Sequence, residues 1–149
     1  MYEIEVMSYG HKFWNKTIEY AEKCSWRAGE SLARKMMKND FENNEKVIIA
    51  LCDDNIAGFC TFSNKDELPQ EYEFTPFVGF VFVDEKYRGK RLSEKLINTA
   101  CAVAMEQGFN AIYIMSGEVG LYEKYGFIKK GDYKTIYGST DQLFLKELY

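Results

Sequence analysis

Seven consecutive residues, Phe77-Val-Gly-Phe-Val-Phe-Val83, carry no polar side chain. The run is short and rich in β-branched and aromatic residues, so it reads as a strand buried on both faces. Such a strand belongs in the middle of a sheet. A charged turn, Asp84-Glu85-Lys86-Tyr87, ends it. A helix is then predicted to open near Arg88-Gly89. Its apolar residues fall at Leu92, Leu96, Ile97, Ala100, Cys101 and Ala104, the spacing of one helical face, and Gly108 is placed to stop it. The first turn of that helix would carry Arg88, Gly89, Lys90, Arg91, Leu92 and Ser93. A helix N-terminus offers unpaired backbone N–H groups and the positive end of a dipole. With three cationic side chains and a hydroxyl added, the simplest ligand is a phosphate or pyrophosphate. The plainer alternative is a solvated helix face balanced by Asp84, Glu85 and Glu94. The position at a strand-to-helix turn favours the phosphate.

The stretch from Val83 to Ser93 resembles the acetyl-coenzyme A motif of the GNAT family of N-acetyltransferases, Gln/Arg-x-x-Gly-x-Gly/Ala. Arg88 fills the first place. Arg91 stands where the second glycine is usual, and Ser93 where Gly or Ala is usual. A second block, Gly120-Leu-Tyr-Glu-Lys-Tyr-Gly-Phe127, is similar to the family's Phe-Tyr-x-Lys-x-Gly-Phe segment, in the family's order and at its usual separation. The resemblance implies one acyltransferase domain over residues 1–149 and acetyl-coenzyme A as cosubstrate. It also implies a pantetheine arm laid along Val81, Phe82 and Val83 like an added strand. A backbone N–H of that strand, near a bulge, would face the thioester carbonyl. Tyr122 matches the family tyrosine near the thioester sulphur. A phenol of pKa ~10 is neutral at pH 7 and can protonate a leaving thiolate. Tyr125 is its neighbour and fallback, and simple packing is the other reading of either tyrosine. Many relatives carry a glutamate six residues before the position of Val83. Here that position is Phe77, so no general base is visible. Glu73 and Glu118 lie near the site in sequence, and each reads more simply as a surface carboxylate.

The chain has 149 residues, 46% hydrophobic and 28% charged, which suits one soluble domain with one core. A net charge of −4 argues against nucleic acid as a partner. The four cysteines, Cys24, Cys52, Cys60 and Cys101, form no Cys-x-x-Cys pair. They read as free thiols in a reducing cytoplasm. With one histidine, His11, no metal site is expected. Neither a signal peptide nor a transmembrane run is visible. A homodimer is compatible with the sequence.

In order, Tyr2–Met7 reads as a strand, and Phe13–Trp26 and Gly29–Met37 as helices. Lys46–Cys52 and Ile56–Phe62 form a hairpin about Asp53-Asp54-Asn55. The central strand and long helix follow, then a strand over Ala111–Met115 and a short helix over Val119–Tyr125 stopped by Gly126. Extended pieces at 127–129 and 134–137 flank Gly131-Asp132, and Gln142–Lys146 is the last strand. The order β-α-α-β-β-β-α-β-α-β-β is mixed α/β around one mostly antiparallel sheet. In the family the first two helices lie over one side of the acceptor pocket. Trp14 and Trp26 are candidates to line it, with core packing the simpler role for each.

The expected activity is therefore transfer of an acetyl group to a primary amine, on a small molecule or a peptide. The acidic loop residues Asp66, Glu67, Glu71 and Glu73 could attract a cationic amine, although a solvated loop is the plainer reading. A non-catalytic acyl-coenzyme A sensor is the alternative of a different class. A Rossmann or P-loop nucleotide site is weak, because Gly89 stands alone in the turn and no Gly-Lys-Ser/Thr occurs.

Overall fold

The computed structural model describes residues 1–149. Strands β1 (Tyr2–Met7), β2 (Lys46–Cys52), β3 (Asn55–Ser63), β4 (Phe77–Val83), β5 (Ala111–Ser116), β6 (Ile128–Lys134) and β7 (Thr140–Glu147) form one sheet in the order β1-β2-β3-β4-β5-β7-β6. Every neighbouring pair is antiparallel except β4 and β5, which run parallel. Helices α1 (Trp14–Lys23) and α2 (Ala28–Met37) cover one face, and α3 (Leu92–Glu106) the other.

Alternation along β2 builds both layers. Ile48 and Ala50 pack toward α3, with Leu92, Leu96, Ile97 and Ala100. Val47, Ile49 and Leu51 pack toward α1 and α2, with Ala21, Leu32 and Met36. This is the period of two expected of a strand covered on both faces.

β4 breaks that period. Val78 faces the α3 layer, whereas Phe82, four residues on, faces the α1–α2 layer. The cause is a bulge. Opposite β3 the register shifts between Phe59↔Phe82 and Thr61↔Gly79, leaving one extra residue in β4. Phe80 there has φ +49°, a left-handed conformation uncommon for a bulky residue. One inserted residue swaps the faces of everything beyond it.

Four details differ from the sequence expectations. α1 is shorter than 13–26, because Cys24 is already extended at its C-terminus. α3 begins at Leu92, not near Arg88-Gly89. Residues Glu85–Tyr87 form a separate 3₁₀ turn, capped by the Asp84 carboxylate accepting from the Lys86 N–H at 3.0 Å. The expected helix over 119–125 contracts to a 3₁₀ turn at Tyr122–Tyr125, ended by Gly126 in a left-handed conformation. Strand β6 runs through Gly131-Asp132, because a register shift between Lys129 and Gly131 lets the pairing with β7 continue, but it stops at Lys134: Thr135–Tyr137, expected to be extended, lie in the turn that leads to β7. No helix is long and apolar enough to cross a membrane.

Candidate active site

β4 and β5 pair only at Phe77↔Tyr113 and Val78↔Ile114. Beyond Val78 the bulge turns β4 away, and the strands part. The gap is a cleft of about 810 Å³. Gly79 to Val83 form one side, Ile114 to Ser116 the other, and Trp26 from the α1–α2 connection closes over it. Unpaired strand backbone bordering a cleft is a ready acceptor for an extended ligand.

The basic turn lies just past Val83, and Arg88 reaches the cleft. The Arg88 Nε donates to the Val83 carbonyl at 3.0 Å, which fixes the guanidinium beside the Phe82 ring. Gly89 has φ +85° and Arg91 φ +60°. The backbone N–H groups from Gly89 through Glu94 have no acceptor within the protein. These donors precede and open α3, where the positive end of the helix dipole adds to them, a combination suited to an anion.

The structure changes the expected part of several side chains in this turn. Arg91 does not sit in a normal helical turn. Its left-handed conformation is the one a glycine would adopt freely, and its guanidinium pairs with Glu94 at 2.7 Å. The Ser93 hydroxyl is engaged with the Tyr125 hydroxyl at 2.8 Å. Leu92 is buried in the core, leaving only its backbone to the turn. Lys90 is exposed. What the turn offers an anion is therefore its backbone N–H groups, with Arg88 and Lys90 as the side-chain cations.

Tyr122 is buried and lines the cleft. Burial pushes its phenol up to about 12, with Ser116 opposing and Glu118 and Tyr125 adding to the rise. It therefore holds its proton at any physiological pH. Tyr125 does not line the cleft, and Ser93 occupies its hydroxyl. Of the two tryptophans, Trp14 packs in the core with its Nε1 donating to the Met36 carbonyl at 3.3 Å. Trp26 lines the cleft and stacks on Phe82 at 5.8 Å and 5°.

The cleft also carries acidic side chains, alongside Lys35 and Lys65. Asp66, Glu67, Glu118 and Asp141 line it, whereas Glu71 and Glu73 do not. Asp66 accepts from the Glu67 N–H at 2.6 Å through Oδ1. Its Oδ2 lies against Gly79, 3.3 Å from where a Cβ would stand. Burial pushes the Asp66 carboxyl up to about 7; the Glu67 N–H opposes this, and the Glu67 and Asp141 carboxylates add to it. Glu67 is raised as well, by burial and by Asp141. Sequence placed Asp66 only in an acidic loop. Its one signal was apolar Leu68 two residues on, which is buried with Phe77 and Leu143 and pins the loop to the sheet. No group of three His, Cys, Asp or Glu side chains is placed to hold a metal ion.

A family model described as the acetyltransferase (GNAT) family matches residues 11–127. No curated protein matches in sequence. Among solved structures, an aminoglycoside 6'-acetyltransferase type Ii superposes with TM-score 0.76 at 16% identity, covering 99% of this chain and 97% of that one. A GNAT family acetyltransferase from Elizabethkingia anophelis with acetyl-CoA bound gives TM-score 0.66 at 15% identity over 98% and 97% of the two chains. An acetyltransferase from Streptococcus agalactiae gives 0.64 at 20% identity over 97% and 98%.

Proposed function

Since the chain belongs to the acetyltransferase (GNAT) family, we propose that it moves the acetyl group of acetyl-coenzyme A onto a primary amine by direct attack, with Tyr122 as general acid. The observation that carries this reading is the cleft where β4 and β5 part, with free N–H groups beyond one end and a protonated phenol in its wall. The pyrophosphate would lie on the N–H groups of Gly89, Lys90, Arg91, Leu92 and Ser93, with Arg88 and Lys90 supplying charge. The pantetheine arm would pair with the backbone of Val81, Phe82 and Val83. The thioester carbonyl would lie at the bulge at Phe80, where a strand N–H would receive the developing oxyanion.

The bond that forms is N–C, and the bond that breaks is C–S. The departing thiolate takes the Tyr122 proton, and the phenolate is restored by the proton that the new amide nitrogen sheds. A buried phenol raised to about 12 suits this step, because it is always protonated when the thiolate leaves. The acceptor is an amine on a small molecule or a peptide.

The test is a panel of mono-, di- and polyamines and peptide amines with acetyl-coenzyme A, read by product mass. At least one amine should gain an acetyl group in proportion to enzyme. Tight binding of acetyl-coenzyme A with no acetylated product from any amine would favour the acyl-coenzyme A sensor instead.

A further inference from the structure

With Tyr122 as acid for the leaving thiolate, the attacking nitrogen still arrives at neutral pH as an ammonium and must lose a proton first. Phe77 is buried and apolar, so no carboxylate comes from the start of β4. A carboxylate from the loop after β3, that of Asp66, lies against β4 at Gly79. We propose that Asp66 is the general base of the transfer, its Oδ2 taking the proton of the acceptor's ammonium. This rests on the acetyltransferase reading above.

Geometry is the first support. Oδ2 abuts Gly79, the residue just before the bulge at Phe80. A side chain at 79 would press on both Thr61 Oγ1 (3.1 Å) and Asp66 Oδ2 (3.3 Å), so glycine there keeps the carboxylate against the strand. Pre-organisation is the second support. The Glu67 N–H holds Oδ1 at 2.6 Å, and Oδ2 has no hydrogen-bond partner in the protein. The Ser63 hydroxyl donates to the Lys65 carbonyl at 3.0 Å, the Ile136 N–H donates to the Glu67 carbonyl at 2.7 Å, and Leu68 is buried, so the loop is fixed on both sides of Asp66. A base held by one oxygen and free at the other is what proton abstraction requires.

Charge is the third. The charged groups that share the cleft with Asp66 are Lys65 and Glu67 on its own loop, Asp141 on β7, Glu118 after β5, Lys35 on α2, and Glu85 and Arg88 past β4; of these, Glu67 and Asp141 act on its carboxyl. None of the cations forms a salt bridge with it. Uncompensated neighbouring carboxylates make a proton welcome and make an ammonium welcome for the same reason. The proton passes from nitrogen to Oδ2 and then to solvent at the cleft mouth. The free amine attacks the thioester carbon, and the thiolate leaves with the proton from Tyr122. Net, one ammonium and one thioester give one amide, one thiol and one released proton.

The experiment is the pH profile of kcat/KM for an amine that the wild-type protein acetylates. Wild type should show a rising limb centred near neutrality. Asp66→Asn should lose roughly 10²–10⁴-fold at pH 7. It should also lose that limb and recover only as the amine itself deprotonates, near pH ~10. Affinity for acetyl-coenzyme A should stay within a few-fold. Asp141→Asn should move the limb to lower pH, because it removes a charge that favours the protonated carboxyl. An Asp66→Asn variant that keeps the limb, or turns over within a few-fold of wild type, overturns the proposal. If that variant does not fold, an unmoved limb in Asp141→Asn overturns it instead. NMR of carboxyl-labelled aspartate in the acetyl-coenzyme A complex separates this from failure of the wider reading. A resonance absent in Asp66→Asn that titrates near neutrality supports the base even if no amine in the panel reacts; titration of that resonance below about pH 5, as for an ordinary aspartate, rules the base out.

Discussion

Tyr122 and Asp66 illustrate how one cleft tunes two oxygen acids by the same physical cause. Burial raises both, one to about 12 and one to about 7. The phenol then keeps its proton throughout the working range, and the carboxyl exchanges one near neutrality. Tyr122→Phe removes a single hydroxyl from a buried ring packed near Phe127 and Phe144. Fold and acetyl-coenzyme A affinity should persist, while kcat falls by roughly 10²–10⁴-fold, the loss typical of a positioned general acid. With the phenol at about 12, the wild-type rate should show no decline from its ionisation below about pH 11. Turnover within a few-fold of wild type would reduce Tyr122 to packing. Asp66 carries a stability consequence of definite sign. Its folded pKa lies above its unfolded value near 4, so between about pH 4 and pH 7 the folded state binds more protons than the unfolded one. Stability should therefore fall as pH rises through that window. Asp66→Asn, which removes the charge and can keep the bond from the Glu67 N–H, should melt higher than wild type at pH 8, by roughly 5 °C. The difference should vanish below about pH 4. Equal melting temperatures at pH 8 would mean that Asp66 is well solvated. The sequence showed Tyr122 through its motif. It hid Asp66, a half-buried residue, because a loop carboxylate shows that it faces a sheet only when the loop is laid against it.

At the scale of elements, the period of apolar residues located the three long helices and every strand but β6. What it missed shares one cause: backbone conformations that leave no mark on hydrophobic spacing. α3 was expected to start early because Arg88 to Arg91 look like a basic helical turn. Left-handed Gly89 and Arg91 forbid that, and the helix waits for Leu92. The delay matters for the site, since it frees a longer series of N–H groups than a regular helix start provides. The bulge in β4 was equally invisible. Phe77–Val83 is apolar at nearly every position, so swapping its faces changes nothing in the pattern, although it sends Phe82 to the opposite layer from Val78. A strand buried on both faces tolerates that swap; one with a polar face would not. β6 was split in two around Gly131 because a glycine and an aspartate read as a turn, yet a register shift carries the pairing through.

At the scale of the molecule, the sheet is two parts held together loosely. β1 to β4 form one, and β5, β7 and β6 the other, joined by two parallel residue pairs, Phe77↔Tyr113 and Val78↔Ile114. α3 packs across the seam, its buried face sharing one core with Val78, Ile112 and Ile114, and on the other face Phe77 packs with Leu68 and Leu143. The cleft is what that weak junction leaves open. A cosubstrate lying along Gly79 to Val83 would supply the hydrogen bonds that β5 does not, and would act as a missing strand in the seam. Acetyl-coenzyme A at 100 times its Kd should stabilise the native protein by about 2.7 kcal/mol, a rise in melting temperature of roughly 5–10 °C. The position of that gain distinguishes seam binding from generic stabilisation. Backbone amides of Gly79 to Val83, and those of Gly89 to Glu94, should exchange with solvent markedly more slowly in the complex. Interior amides of the β2–β3 pair, already protected, should slow only as far as global stability rises. Adenosine diphosphate should protect the turn and leave β4 unchanged, because it lacks the arm. Protection confined to the turn with acetyl-coenzyme A as well would show that the arm does not pair with β4, and no melting shift at millimolar acetyl-coenzyme A would remove the cosubstrate itself from the account.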